Sequence, residues 1–164
     1  MSSTPDYDDY HRVVLRNPGI EATSKLLADL RREVPVDRVL ELYPDVRKTL
    51  EELSRRQVRM AVVSDAWRDL PGLHAALGIH HFFEAYAISA ELGCKKPDPR
   101  MYHHASTALG LLPKQCLFID DDPELVQAAI DLGYAGRAID QDRALPHVAP
   151  VPSIATLTEL LELF

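Results

Sequence analysis

The chain has 164 residues, long enough for one domain with a substantial core and too short for two of ordinary size. A formal charge of −7 argues against nucleic acid or an anionic membrane surface as the main partner, because both reward clustered Lys and Arg. No apolar run approaches the roughly 18 residues of a membrane span, and Met1-Ser-Ser-Thr-Pro-Asp6 has no signal-peptide core, so the sequence reads as soluble and cytoplasmic.

From Asp9 to Leu42 the pattern is helical, with Val13, Val14, Leu26, Leu27, Leu30, Val36, Val39 and Leu40 as its apolar positions. Pro18-Gly19 and Pro35 divide it into two or three short helices. Pro44 opens a further helix in which Val46, Leu50 and Leu53 share one face, and Arg55-Arg56 ends it. Val58 to Val63 is a short apolar run suited to a buried parallel strand.

The chain then alternates. A helix is expected from Asp69 to Leu77 before Gly78, a strand from Phe82 to Ile88, and a helix from Pro99 to Leu109 stopped by Gly110. Cys116 to Ile119 is a second apolar strand, Pro123 to Leu132 a helix stopped by Gly133, and Tyr134 to Ile139 a strand. A last helix is expected from about Thr156 to Phe164. Strands separated by helical segments imply βαβ units, a doubly wound parallel sheet and helices on both faces. Residues 1–42 then form a helical, cap-like segment and residues 43–164 an α/β core. Cys94 and Cys116 match no metal spacing and read as two buried thiols.

In open parallel sheets, ligands bind at the carboxyl ends of the strands. Ser64-Asp65 follows the first apolar run, and Asp120-Asp121-Asp122 follows the second. Three adjacent carboxylates repel one another, and a bound Mg²⁺ would offset that repulsion through hard oxygen ligands. The blander reading makes Asp122 the cap of the helix that starts at Pro123. Both readings are compatible, with Asp122 as cap and Asp121 as metal ligand. In Lys95-Lys96-Pro97-Asp98-Pro99, proline disfavours the α region for Lys96 and holds it extended. Its cation is thereby aimed, at a phosphoryl oxygen or at a carboxylate; the plain alternative is a polar turn before a helix. Ser64 by itself is an ordinary turn residue.

Taken in order, these segments resemble motifs two, three and four of the haloacid dehalogenase-like (HAD) superfamily. Ala61-Val-Val-Ser-Asp-Ala-Trp67 looks like the second motif, Ile88-Ser-Ala-Glu-Leu-Gly-Cys-Lys-Lys-Pro-Asp-Pro99 the third, and Leu117-Phe-Ile-Asp-Asp-Asp-Pro-Glu-Leu-Val-Gln-Ala-Ala129 the fourth. Tyr43 to Leu50 looks like the helix that leads into the second, so the resemblance runs from about Leu42 to Asp140. It implies a Rossmann-like core and hydrolysis of a small phosphorylated metabolite through an aspartyl-phosphate, with Mg²⁺ as cofactor. It also implies Ser64, Asp65 and Lys96 at the substrate, Lys96 stabilising charge, and Asp121 on Mg²⁺. Asp120 would orient Lys96 or a metal-bound water. A monomer or homodimer suffices for such chemistry.

The sequence departs from the family at motif one, an apolar mid-sheet strand ending in Asp-x-Asp that should carry the nucleophile. Asp6-Tyr-Asp8 has the spacing, but Met-Ser-Ser-Thr-Pro before it cannot be a central strand, and Pro5 lacks the N–H such a strand needs. Asp6 and Asp8 are therefore weak candidates beside the plainer reading of a polar start and a helix cap. The expectation is a longer active protein whose first central strand precedes this sequence, with 1–42 as a shortened cap. The alternative is a degenerate binding or regulatory module without turnover, and a lesser one is a 2-haloacid dehalogenase. A phosphoacceptor receiver domain has similar groups, but its acidic pair comes first and its Lys-Pro last, the reverse of the order here.

Overall fold

A computed structural model describes residues 19–30, 40–141 and 151–164. The chain falls into two compact units, residues 1–40 and 41–164. In the first, α1 (Ser24–Leu30) starts where the Thr23 hydroxyl accepts the Leu26 N–H at 3.2 Å, a side-chain cap on a free backbone donor. Leu27 is buried. The helical positions expected at Val13, Val14, Val36 and Val39 lie outside the described residues, as do Asp6 and Asp8.

The second unit begins with α2 (Val46–Arg55), which buries Thr49, Leu50 and Leu53. Asp45 precedes it without capping it. Its carboxylate instead accepts the Leu157 N–H at 2.7 Å and the Gln141 amide at 3.0 Å, tying the start of α2 to distant parts of the chain. Gln57, at φ 61°, turns the chain out of α2. Then come β1 (Ala61–Ser64), α3 (Leu70–Ala76), β2 (Ala85–Ile88), α4 (Ser89–Leu92) and α5 (Pro99–Ala108). They are followed by β3 (Leu117–Asp120), α6 (Pro123–Asp131), β4 (Ala135–Ile139), β5 (Ser153–Ile154) and a closing 3₁₀ turn, Leu157–Glu162. The Arg47 guanidinium donates to Leu77 O at 2.7 Å and Gly78 O at 3.1 Å, placing a cation on the carbonyl end of α3.

The strands are parallel. β1 pairs with β2, Ser64 lying opposite Ile88, and β3, β4 and β5 form a second sheet in that order, Asp120 lying opposite Ala138. The alternation of a strand's side chains shows how both faces of β3 are covered. Phe118 packs with Met101, Tyr102 and Ala129 on one side, while Leu117 and Ile119 pack with Leu53, Ile154 and Leu160 on the other. Val63 of β1 and Phe118 of β3 both meet the cluster around Met101 and Tyr102, so α5 spans the two sheets from one face. Tyr102 sets its ring edge-on to Phe118, with centroids 5.0 Å apart.

The elements differ from the sequence reading mainly at their ends. Both apolar runs enter their sheets late and extend one residue further. Arg59 lies ahead of β1, where its guanidinium is drawn to Glu84 and to Leu109 O. Phe82 belongs to a 3₁₀ turn, His80–Phe82, and the final helix is 3₁₀ as well. β4 lies so close to α6 that a Cβ on Gly136 would sit 2.8 Å from Val126 Cγ1 and 2.8 Å from Ile130 Cγ1. Gly136→Ala should therefore destabilise the fold by about 1–3 kcal/mol, the usual cost of overpacking. A fall in the urea midpoint at unchanged slope checks this; an unmoved midpoint would mean that α6 shifts aside at no cost.

Candidate active site

Ser64 ends β1 and Asp120 ends β3, so the two apolar runs deliver their polar residues to the same end of the parallel strands. Lys96 joins them. Its backbone N–H donates to Asp65 Oδ1 at 3.0 Å, and its Nζ donates to Asp120 Oδ2 at 2.5 Å. Both side chains of the ion pair are 9% exposed. The ammonium also stands 6.0 Å from the centroid of the Phe118 ring, at the outer limit of a cation–π contact. The aim that Pro97 gives to Lys96 is thus directed at a carboxylate.

The loop that carries Lys96 is built locally. Gly93, at φ 67°, takes the left-handed conformation that ends α4. Asp98 donates its N–H to Lys95 O at 2.9 Å and caps α5, its Oδ1 accepting the Arg100 N–H at 3.0 Å. The Arg100 guanidinium bonds the same carboxylate, and these bonds hold Asp98 well below the usual carboxylate range, at about 2. On the β1 side, Ala66 O accepts Ser89 Oγ at 3.3 Å and the Ala90 N–H at 3.4 Å, anchoring the loop after Ser64 to α4. Trp67, next in that loop, is largely exposed.

The three consecutive aspartates have three different surroundings. Asp120 is paired with Lys96 and also accepts the Asp122 N–H on Oδ1 at 3.0 Å. Asp122 caps α6 by accepting the Glu124 N–H at 2.8 Å, as its place before Pro123 leads one to expect. Asp121 is exposed and, among the described residues, makes no hydrogen bond or ion pair. The protein itself therefore offsets much of the repulsion for which the sequence reading invoked a cation. Both Asp120 oxygens are engaged, and among the described residues no three His, Cys, Asp or Glu side chains stand close enough to hold a metal ion. The described residues do not by themselves make a Mg²⁺ site.

Tyr102 lies beneath this group and was not singled out by the sequence. Its hydroxyl donates to Leu125 O at 3.1 Å. Burial, and then the negative charges of Asp120, Asp65 and Asp122, push its phenol up to about 12. A tyrosine at the fourth position of a helix looks like any core aromatic; only its packing shows that it senses the site. The structure thus brings Ser64, Asp65, Lys96 and Asp120 together, sets Asp121 beside them, and does not describe Asp6 or Asp8.

A family model for haloacid dehalogenase-like hydrolases matches residues 4–133. Phosphoserine phosphatase of Thermus thermophilus is 32% identical over 125 residues, which is 73% of this chain and 49% of that protein. Glyceraldehyde 3-phosphate phosphatase of Methanopyrus kandleri is 34% identical over 87 residues, 50% of this chain and 36% of that protein. The chain thus spans half or less of the length of these curated relatives. Among solved structures, a HAD phosphatase from Thermococcus onnurineus superposes with a TM-score of 0.74 at 19% identity, covering 97% of this chain and 73% of that one. An L-2-haloacid dehalogenase from Xanthobacter autotrophicus reaches 0.74 at 23% identity, covering 95% and 73%. These structural likenesses establish the fold. Among the described residues, no helix is long and apolar enough to cross a membrane.

Two outcomes follow from the geometry. Lys96→Met leaves the Asp120 carboxylate buried without its cation and should cost on the order of 3 kcal/mol. Adding Asp120→Leu should recover part of that loss in urea unfolding; a double variant no better than the single would show that the two charges do not depend on each other. Tyr102 supplies the second. Its phenol is raised in the folded state, so its contribution is complete below the ordinary value of 10 and is lost as pH climbs towards about 12. Unfolding measured across that alkaline range should show a steeper loss for the parent chain than for Tyr102→Phe, and equal slopes would contradict the assignment.

Proposed function

The chain belongs to the haloacid dehalogenase-like hydrolase family, and we propose that its chemistry is the Mg²⁺-dependent hydrolysis of a small phosphate ester through an aspartyl-phosphate. The observation that carries this reading is Lys96, gripped at both ends, by Asp65 next to Ser64 at the end of β1 and by Asp120 at the end of β3. A fixed cation and a hydroxyl in a partly water-excluded crevice stabilise charge on a transferring phosphoryl group without reorganising as it moves. The relatives named above lend support, since their names specify phosphoserine and glyceraldehyde 3-phosphate as substrates.

Each residue has a place in this reading. Ser64 O–H and Lys96 hold phosphoryl oxygens, Asp65 flanks them, and Asp120 keeps the ammonium in position. Asp121, exposed and unengaged, contributes to Mg²⁺ binding only when further carboxylates join it. The attacking carboxylate comes from an apolar strand ending in Asp-x-Asp, which none of the described residues supplies. It would bond to phosphorus as the ester P–O bond breaks and the leaving oxygen takes a proton. Water then returns the carboxylate and releases phosphate. The break between β1 and β3 supports such a strand, because one parallel strand seated there could pair with both. A second reading, a binding module without turnover, draws on the neutralisation of Lys96 by Asp120.

Residues 1–164 assayed alone with Mg²⁺ and an aryl phosphate should show negligible turnover. Asp6 and Asp8 sit on a polar segment, and misplacing a nucleophile by even 1 Å can cost on the order of a hundredfold in rate. A form extended by an apolar strand ending in Asp-x-Asp should turn over, and Lys96→Ala should then abolish the activity. An inactive extended form would favour the binding module. Activity of 1–164 that disappears on Asp6→Asn or Asp8→Asn would place the nucleophile in this sequence. In calorimetry Mg²⁺ should bind 1–164 weakly; tight stoichiometric binding lost on Asp121→Ala would overturn the incomplete metal site.

A further inference from the structure

We infer that Asp65 is a positioning residue for Lys96, acting through its hydrogen bond to the Lys96 main chain and not through its charge. A lysine side chain has four rotatable bonds and loses much conformational freedom when its ammonium is fixed. It reaches a defined point only if its own backbone is also held. Three constraints meet on Lys96. Pro97 restricts its backbone torsions, which sets a direction. Asp120 receives its Nζ at 2.5 Å, which sets the far end. Asp65 Oδ1 receives its N–H at 3.0 Å, which sets the near end.

Among the described residues, the Lys96 backbone has no other hydrogen bond from beyond its own loop. The neighbouring main-chain bond, Asp98 N–H to Lys95 O at 2.9 Å, stays within the loop and shapes the turn without placing it. Asp65 links the loop to the end of β1, from a residue 31 positions away in the sequence. Because Asp120 ends β3, the Lys96 residue bridges the ends of two strands that belong to different sheets. Asp65 itself is exposed, in contrast to the 9% exposure of the Lys96 and Asp120 side chains. The phenol of Tyr102, raised by burial first and then by the charges of Asp120, Asp65 and Asp122, agrees with a compact cluster. One oxygen of Asp65 is thus committed to Lys96, which sets it apart from a residue kept free for substrate.

Aspartate and asparagine share the Oδ1 acceptor and differ in charge, so they separate the two modes of action. The test is the acetylation rate of Lys96 in the full chain, read by mass spectrometry against exposed Lys114. Asp65→Ala should speed acetylation of Lys96 about fivefold, the factor carried by one net hydrogen bond. Asp65→Asn should stay within about twofold of the parent, since the acceptor remains. Equal acceleration in both variants would assign the effect to charge and overturn the proposal, as would no acceleration in Asp65→Ala. If Asp65→Ala unfolds, Lys96 amide hydrogen exchange in the parent and in Asp65→Asn decides: protection in both supports the bond, and its absence in either refutes it. The labelling uses no substrate, so it is independent of whether the phosphatase reading holds.

Discussion

The ion pair between Lys96 and Asp120 is the contact on which the rest of this site depends. Nearly buried pairs add little net stability, because desolvation offsets much of their attraction. Their consequence is mutual commitment: removing one charge leaves the other without a partner in a poor solvent. The parallel strands supply one member at the end of β3, and the loop ahead of α5 supplies the other. The charged cluster at the strand ends is therefore defined by a contact between elements, and neither element would form it alone.

Around that pair, the acidic residues are sorted by what the backbone offers them. Asp122 satisfies a free N–H at the start of α6, and Asp98 does the same for α5. Asp45 is drawn instead to Leu157 N and Gln141, closing the second unit on its own carboxyl end. Asp65 takes a main-chain N–H in a loop. Each of these carboxylates meets a donor that has no other partner among the described residues, which offsets part of the repulsion in a chain with a formal charge of −7. Asp121 alone of the triplet makes no hydrogen bond or ion pair among the described residues, which leaves its carboxylate unengaged.

The core explains the placement. Phe118 faces the α5 and α6 side while its neighbours Leu117 and Ile119 face α2 and the carboxyl-terminal turn. That alternation puts Asp120, two residues after Phe118, on the same face of β3, where its carboxylate meets Lys96. Tyr102 packs against Phe118 and so couples the core to the charged cluster above it. Covering of both faces by helices is what the sequence pattern of apolar runs between helical segments requires of a parallel sheet.

Much of this was legible in the residues. The apolar runs ending at Val63 and Ile119, the glycines after the helices, and Pro123 behind Asp122 determine the order of strands and helices, because each acts locally through burial, backbone freedom or a cap. The same local rules placed Ser64 and Asp120 just past the apolar runs, where they close β1 and β3, and Lys96 in the turn ahead of α5. The sequence did not reveal β5, which is two residues long with no apolar run, or the 3₁₀ form of the carboxyl-terminal turn. Nor did it reveal that β1 and β3 lie in separate sheets, since strand neighbours depend on which edges meet in space. Only the tertiary structure decided that Lys96 answers to Asp65, 31 positions away, and that Asp120, 24 positions away, takes Lys96 from the two partners the resemblance left open to it. Hydrogen bonds over such distances in the chain leave no periodic trace, because they arise from packing and not from the local conformation of the backbone.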